Sequence, residues 1–252
     1  MVRADAPVAS ARFDGRPLVF FPQGDASVAL IGVDLDRRPG RYPIEVEGRT
    51  GWKAEATLEV VDRQFPEERL TLPKAYVEPD RKTLARIARE AKLLAALWGN
   101  SDREPHWTGA FVHPTDGAAG SPFGLRRFFN GEPRSPHAGI DFRSPEGTPV
   151  AAANAGQVVL ARELFFTGNT VVLDHGCGLF TMYVHLFKVA VRPGERVDKG
   201  RTIGQVGMTG RATGPHLHFA ARVGDARIDP AMLLDRDPGG PMRTHRMGEV
   251  ER

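Results

Sequence analysis

A single cysteine, Cys177, stands in 252 residues. No internal disulfide can staple this chain, no cysteine-based zinc finger can form, and cysteine pairing says nothing about the compartment. Cys177 itself reads as a small buried or half-buried residue. Long hydrophobic runs are missing too. The longest, 28–33 and 93–98, fall far short of the ~20 residues a membrane-spanning helix needs, so no transmembrane segment is expected. Residues 1–11 include an Asp and a Pro and lack an apolar core, so no signal peptide is expected in the given chain, which is either an internal protein or a mature form. Charge of one sign is scarce. Lys plus Arg number 34 against 31 Asp plus Glu, an excess that favours an anionic partner without demanding one. There is no stripe of basic and aromatic residues, so no nucleic-acid partner is expected. Histidine is absent from the first 105 residues, and all eight histidines follow.

What is present is turn chemistry and short β runs. With 41% hydrophobic residues the chain can bury a core, and Gly 28 and Pro 20 punctuate brief stretches of Val, Ile, Leu and Thr in the manner of a mainly β protein. Runs at 18–21, 28–33, 42–46 and 57–61 predict a small N-terminal β-sandwich over 12–64. It has no His and no Cys, so it reads as a packing or spacer module. A connector over 65–104 follows, with one helix at 80–98. Asp80 is its expected N-cap, and Gly99 its expected left-handed terminator. Leu84, Ile87, Ala88, Ala91, Leu94, Ala95 and Trp98 form its apolar stripe, and Lys82, Arg86 and Lys92 its solvated face. The region 105–235 returns to β punctuation, and the tail 236–252 is expected to be loose. Within it, Gly147-Thr-Pro-Val150 with Gly156-Gln-Val158 resembles Gly194-Glu-Arg-Val197 with Gly204-Gln-Val206. This duplicated strand-turn-strand motif predicts a compact C-terminal β domain. A carrier domain of the lipoyl or biotinyl kind would share the pattern, but Val197-Asp198-Lys199-Gly200 lacks the Met-Lys pair of biotin carriers.

Four histidines and one aspartate fall in three short motifs. In Ser-Pro-His137-Ala-Gly-Ile-Asp141-Phe, Pro136 and Gly139 argue against helix, leaving a loop His and a strand-edge Asp free to converge. Gly214-Pro-His216-Leu-His218-Phe reads as a strand whose alternate side chains share a face, so His216 and His218 point one way and Leu217 the other. Tyr183-Val-His185-Leu lies between them. Singly each motif has a bland reading, a polar strand edge or a chance spacing. Together they meet what a catalytic zinc site needs, three His or carboxylate ligands and a fourth position left for water. Of the others, His175 reads as a turn residue, His113 as a lead-in loop residue with approach to the cleft as its minor alternative, and His106 and His245 as solvent residues.

From 121 to 233 the sequence resembles the lysostaphin-type, or M23, zinc metalloendopeptidases. The matching text is Ser-Pro-Phe-Gly-Leu-Arg126, His137 to Asp141, Gly168-Asn-Thr-Val-Val-Leu-Asp-His-Gly176, Tyr183-Val-His185-Leu, and Thr209-Gly210 through Thr213-Gly-Pro-His-Leu-His218-Phe. The resemblance implies Zn2+ held by His137, Asp141 and His218, with His185 and His216 beside the open position as catalytic groups. It implies hydrolysis of peptide cross-links in bacterial peptidoglycan, with stem peptides and cross-bridges as partners. The implied site of action is the cell envelope, periplasmic or secreted. The N-terminal part is similar to the immunoglobulin-like modules that precede some such domains. Phe187 and Ala220 depart from the usual small polar residue and Glu at their positions, which bears on substrate preference more than on catalysis.

On this reading His216 is placed to take a proton from the attacking water and His185 to stabilise the intermediate or protonate the leaving amine, and the two roles are exchangeable. Arg126 is a candidate substrate-binding charge, with a surface salt bridge as its alternative. Two rivals stand beside the enzyme. One is a non-catalytic wall-binding activator of another hydrolase; the other is a closed structural zinc site that uses both His216 and His218. Both D-Ala–diaminopimelate links and glycine-rich bridges are cut within the family.

Overall fold

A computed structural model describes residues 1–71 and 79–238. Residues 72–78 of the expected connector, the tail beyond 238 and His245 lie outside the described residues. An eight-stranded antiparallel sheet dominates the second half of the chain. Its order is Arg196–Val197, Gly156–Leu164, Gly168–Asp174, Leu179–Leu186, Leu217–Val223, Gly139–Arg143 and Ala118–Ala119, with Ala226–Ile228 paired to Leu217–Val223. Every residue of Leu179–Leu186 is buried, because this central strand is covered on both faces. On one face Leu173, Leu179, Tyr183, Leu217 and Phe219 build the main core. On the other, Leu160, Val172, Phe180, Met182, Val184 and Ala220 form a second cluster.

That second cluster explains the helix. Arg81–Leu97 is helical, and the Asp80 side chain accepts from the Thr83 amide as expected of an N-cap. The expected apolar stripe is rotated. Leu93, Leu94, Leu97 and Trp98 pack on the sheet, while Leu84 is 52% exposed and Ala88, Ala91 and Ala95 face solvent. The reason is that large side chains bury more apolar area than alanines do, and Trp98 stacks edge-on against Phe180 at 5.1 Å. Arg86 is therefore not on a purely solvated face. It pairs with Glu90 at 2.6 Å, and Glu90 accepts from the Phe165 amide. Gly99 does not adopt the left-handed conformation expected of it; Trp98 caps the helix at φ −68, ψ −17.

The two similar motifs pair crosswise. Pro149–Ala151 of the first joins Thr202–Gln205 of the second in a small three-stranded sheet, and Gly156–Leu164 of the first pairs with Arg196–Val197 of the second in the large one. Each half thus completes a sheet begun by the other.

The N-terminal strands form two small sheets. One has the order Val2–Ala4, Ala26–Ala29, Phe20–Gln23, and the other Arg16–Pro17, Val8–Phe13, Gly40–Gly48, Lys53–Val60. Strands therefore begin at Val2, ahead of residue 12, and the expected run over 28–33 stops at Ala29. The small sheets do not keep a core to themselves. Phe21 and Val28 belong to the main core, Phe21 meeting Trp107 edge-on at 5.3 Å. Asp34 receives both the backbone amide and the guanidinium of Arg227. Among the described residues no helix is long and apolar enough to cross a membrane.

The expected connector supplies one further strand. Glu67–Leu70 runs parallel to Arg126–Phe129, which turns back on Glu132–Arg134, and this three-stranded patch forms one wall of the site.

Candidate metal centre and its cleft

Asp141 and His218 sit opposite each other in the register of Gly139–Arg143 and Leu217–Val223, so their side chains leave the sheet on the same face. His137 enters from the preceding loop, its backbone tied to Leu125 and Gly124. The three ligand atoms close on one another: His137 Nε2 lies 2.9 Å from Asp141 Oδ1 and 2.8 Å from His218 Nδ1, and His218 Nδ1 lies 2.8 Å from Asp141 Oδ1. His137 Nδ1 donates to the Pro122 carbonyl at 2.8 Å, which leaves Nε2 a lone-pair acceptor in the neutral ring. The carboxylate is acceptor-only. Lone pairs converging in a buried place call for a cation, and this His-Asp-His group is the one among the described residues that can hold a metal ion.

Although burial opposes its ionisation, Asp141 is held well below the usual carboxylate range by hydrogen bonds to His137 and His218. Its other oxygen, Oδ2, receives Arg127 at 3.3 Å, and Arg127 is in turn held by Glu68 at 3.2 Å. Neither Arg127 nor Glu68 was legible as a site residue. Arg126, the candidate substrate-binding charge, is exposed and faces Glu67 at 3.7 Å, the surface salt bridge that is its alternative. Adjacent residues of a strand point to opposite sides, so Arg127 takes the inward place and Arg126 the outward one.

His185 reaches the site by a backbone irregularity. Val184 pairs with His218, so regular alternation would turn His185 to the opposite face. Between Asn169 and Val171 on one strand, the partner advances from Leu186 to Tyr183, one residue too many, which is a β-bulge. His185 adopts φ 64 there, a conformation that costs a non-glycine residue of order 1–3 kcal/mol and concentrates at functional sites. Its ring lies 4.8 Å from that of His216 and 6.1 Å from that of His218. Nδ1 donates to the Thr209 carbonyl at 2.7 Å. Burial, with the nearby His218 and His216, pushes its pKa down to about 3, so the ring is neutral at neutral pH and Nε2 is an acceptor. His216 is anchored in the same way, Nδ1 on the Gly214 carbonyl at 2.8 Å, with Nε2 3.8 Å from Asp141 Oδ1.

Thr209 is the hidden support of this arrangement. Besides orienting His185, its hydroxyl donates to the Leu186 carbonyl and accepts from the Asn169 amide, both at 2.9 Å. The cleft above the group has a volume of about 390 Å³, and its walls include Glu68, Arg127, Arg143, Arg211, His185 and His216.

The remaining histidines separate. His175 is fully buried, between the Ala155 carbonyl and Thr181 Oγ1, a core residue at the strand end. His113 faces Asp235 at 3.1 Å and does not line the cleft. His106 is half-buried against Asp102, at 2.7 Å, and not a solvent residue.

Gly139 has a steric duty. A Cβ there would lie 2.3 Å from the Phe219 carbonyl and 2.9 Å from the His218 ring. Gly139→Ala should therefore displace His218 and lower metal affinity by about 10–100-fold, as the loss of a ligand's support does. A competition titration with a metallochromic chelator measures this, and wild-type affinity in the variant would refute it.

The family model described as "Peptidase family M23" matches residues 135–230, a stretch that contains all five residues of the group and its flanking histidines. Peptidoglycan DD-endopeptidase ShyA of Vibrio cholerae is 48% identical over 85 residues, 34% of this chain and 20% of that protein. DD-carboxypeptidase/endopeptidase Mpg of Neisseria meningitidis is 40% identical over 113 residues, 45% of this chain and 26% of that protein. The chain thus spans about a quarter or less of the length of these curated relatives. The crystal structure of a peptidase M23 from Pseudomonas aeruginosa matches with a TM-score of 0.74 at 34% identity. That likeness takes in the N-terminal sheets as well as the large one, covering 91% of this chain and 89% of the other. Identity at this level, sustained along nearly the whole of both chains, marks common descent, and the chain belongs to peptidase family M23.

Proposed function

We propose that this protein is a zinc metalloendopeptidase that hydrolyses peptide cross-links of bacterial peptidoglycan, acting in the cell envelope, periplasmic or secreted. The observation that carries the reading is the convergence of three lone-pair donors, two imidazoles and a carboxylate, beside two further histidines whose Nε2 atoms are free of any backbone anchor. A donor set of two nitrogens and one oxygen suits zinc, and three protein ligands are what an open catalytic zinc site uses. The substrate class is supported by similarity to proteins named as peptidoglycan DD-endopeptidases.

Zinc bound there lowers the pKa of water towards ~7 and polarises the scissile carbonyl. His137, Asp141 and His218 would hold it; the Pro122 carbonyl and Arg127 fix the orientation of the first two. His216 Nε2 takes the proton of the attacking water. His185, kept neutral by burial with its Nδ1 hydrogen on the Thr209 carbonyl, presents Nε2 to the cleft as an acceptor that orients the attacking water, and the proton taken up at His216 Nε2 is the one returned to the leaving amine.

The alternative, a wall-binding protein without catalysis, needs no further histidine aimed at the metal group, yet His185 is held in a costly backbone conformation that directs it there. Digestion of purified cross-linked peptidoglycan decides between them. Metal-free protein should release no monomeric muropeptides, and added zinc should restore release. Undiminished cleavage in excess chelator would remove the metal from the mechanism, and zinc-loaded protein that binds walls without cutting them would establish the binding role.

A further inference from the structure

Arg211 has an unusual environment for a cation. Its guanidinium carbon lies 4.9 Å from the Phe129 ring centre and 4.3 Å from that of Phe166. It lines the same cleft as His185, His216 and Asp141. Arg127, the neighbouring arginine in that cleft, is engaged by Glu68 and Asp141. No carboxylate among the described residues pairs with Arg211. Burial, reinforced by the like charges of Arg127 and Arg134, pushes its pKa down to about 10, so it still carries its charge at neutral pH.

The backbone that carries Arg211 is pinned. Its amide donates to the Phe166 carbonyl at 2.8 Å. Gly210, at φ 74, packs so closely that a Cβ would lie 2.3 Å from the Gly168 amide nitrogen. Thr209, two residues before Arg211, supplies the carbonyl that orients His185. One short loop therefore sets both the orientation of His185 and a part-buried cation with no ion pair among the described residues. A planar guanidinium close to two aromatic rings, with no ion-pair partner among the described residues, is suited to take a carboxylate.

Building on the proposed hydrolase function, the geometry points to Arg211 as the anchor for a free carboxylate that flanks the scissile bond. The substrate class is then a cross-link between amino acids that keep an ionised α-carboxylate beside the cleaved amide, such as D-Ala–diaminopimelate, and not an oligoglycine bridge, which offers only neutral amides there. The anchor holds the substrate at a set distance from His185 and so acts on specificity.

The test uses the full chain loaded with zinc and three substrates: a dimeric muropeptide with a D-Ala–diaminopimelate link, the same dimer with the flanking carboxylate amidated, and a pentaglycine-bridged dimer. A charge-assisted hydrogen bond of ~1.5–3 kcal/mol corresponds to a ~10–150-fold preference in kcat/KM for the acid over the amide. Arg211→Gln should lose that factor on the acid, cleave acid and amide alike and keep its zinc stoichiometry, while Arg211→Lys recovers part of the preference. Wild-type protein that cleaves acid and amide equally, or Arg211→Gln that keeps the preference, would overturn the anchor while leaving the hydrolase standing. Cleavage of the pentaglycine dimer in preference to the acid would overturn it as well. Failure to cleave any of the three would overturn the proposed function, and the anchor with it.

Discussion

His218→Ala should purify with little zinc, whereas His216→Ala should keep its zinc and lose turnover by about 10²–10⁴-fold, the usual cost of removing a general acid or base. The two side chains are two residues apart, but their surroundings differ. His218 Nδ1 lies 2.8 Å from both Asp141 Oδ1 and His137 Nε2. His216 Nε2 is 3.8 Å from the same carboxylate oxygen, and its ring is tied to the Gly214 carbonyl. Removing His218 leaves two ligands of three; removing His216 leaves all three. Zinc stoichiometry by elemental analysis, read beside the rate of muropeptide release, separates the roles. Equal loss of zinc in both variants would mean a closed four-ligand site, which has no position for water, and the hydrolytic reading would fall.

Conformational stability should decline as the pH drops from about 6.5 to about 4, and His175 should account for about 3 kcal/mol of that decline. Burial is the cause: it pushes the pKa of His175 from 6.5 down to about 4. A group whose pKa is lower in the folded chain binds its proton more readily when unfolded. Between the two values the unfolded state takes up the proton and the folded state does not, so stability is full above about 6.5 and lost towards about 4. The local chemistry agrees. Nδ1 donates to the Ala155 carbonyl and Nε2 faces Thr181 Oγ1 at 2.8 Å, so a protonated ring would bring a second donor and an uncompensated charge into the core. Urea unfolding from pH 7 to pH 4 for wild type and His175→Gln isolates the residue. The variant, whatever its absolute stability, should show a flatter pH dependence, and identical slopes would rule out this role.

The half that carries the metal group was legible because its chemistry is local in sequence. His216 and His218 share a face through the two-residue period of a strand, and Asp80 announced a helix start that Thr83 satisfies. The helix stripe was misjudged because periodicity weighs alanine with leucine, whereas packing on Phe180 and Met182 rewards the larger Leu93, Leu97 and Trp98. Arg127 escaped notice beside Arg126 because two adjacent arginines in a strand differ only in the side they face. That choice depends on Glu67–Leu70, a strand more than fifty residues upstream that supplies Glu68.

By itself the sequence determined the residue types that can meet at a metal, the β character of both halves, the helix and its N-cap, and the family resemblance. Only the tertiary structure decided which side chains face the cleft. It did so through contacts that no local pattern encodes. The bulge that brings His185 to the face of His218 arises from a register mismatch between two strands. The Thr209 carbonyl that orients His185 comes from 24 residues away, and Arg211 lines the same cleft with no ion pair among the described residues because Glu68 and Asp141 are taken by Arg127. Register, burial and charge neighbourhood are properties of distant segments brought together, so they come into being only when the chain folds.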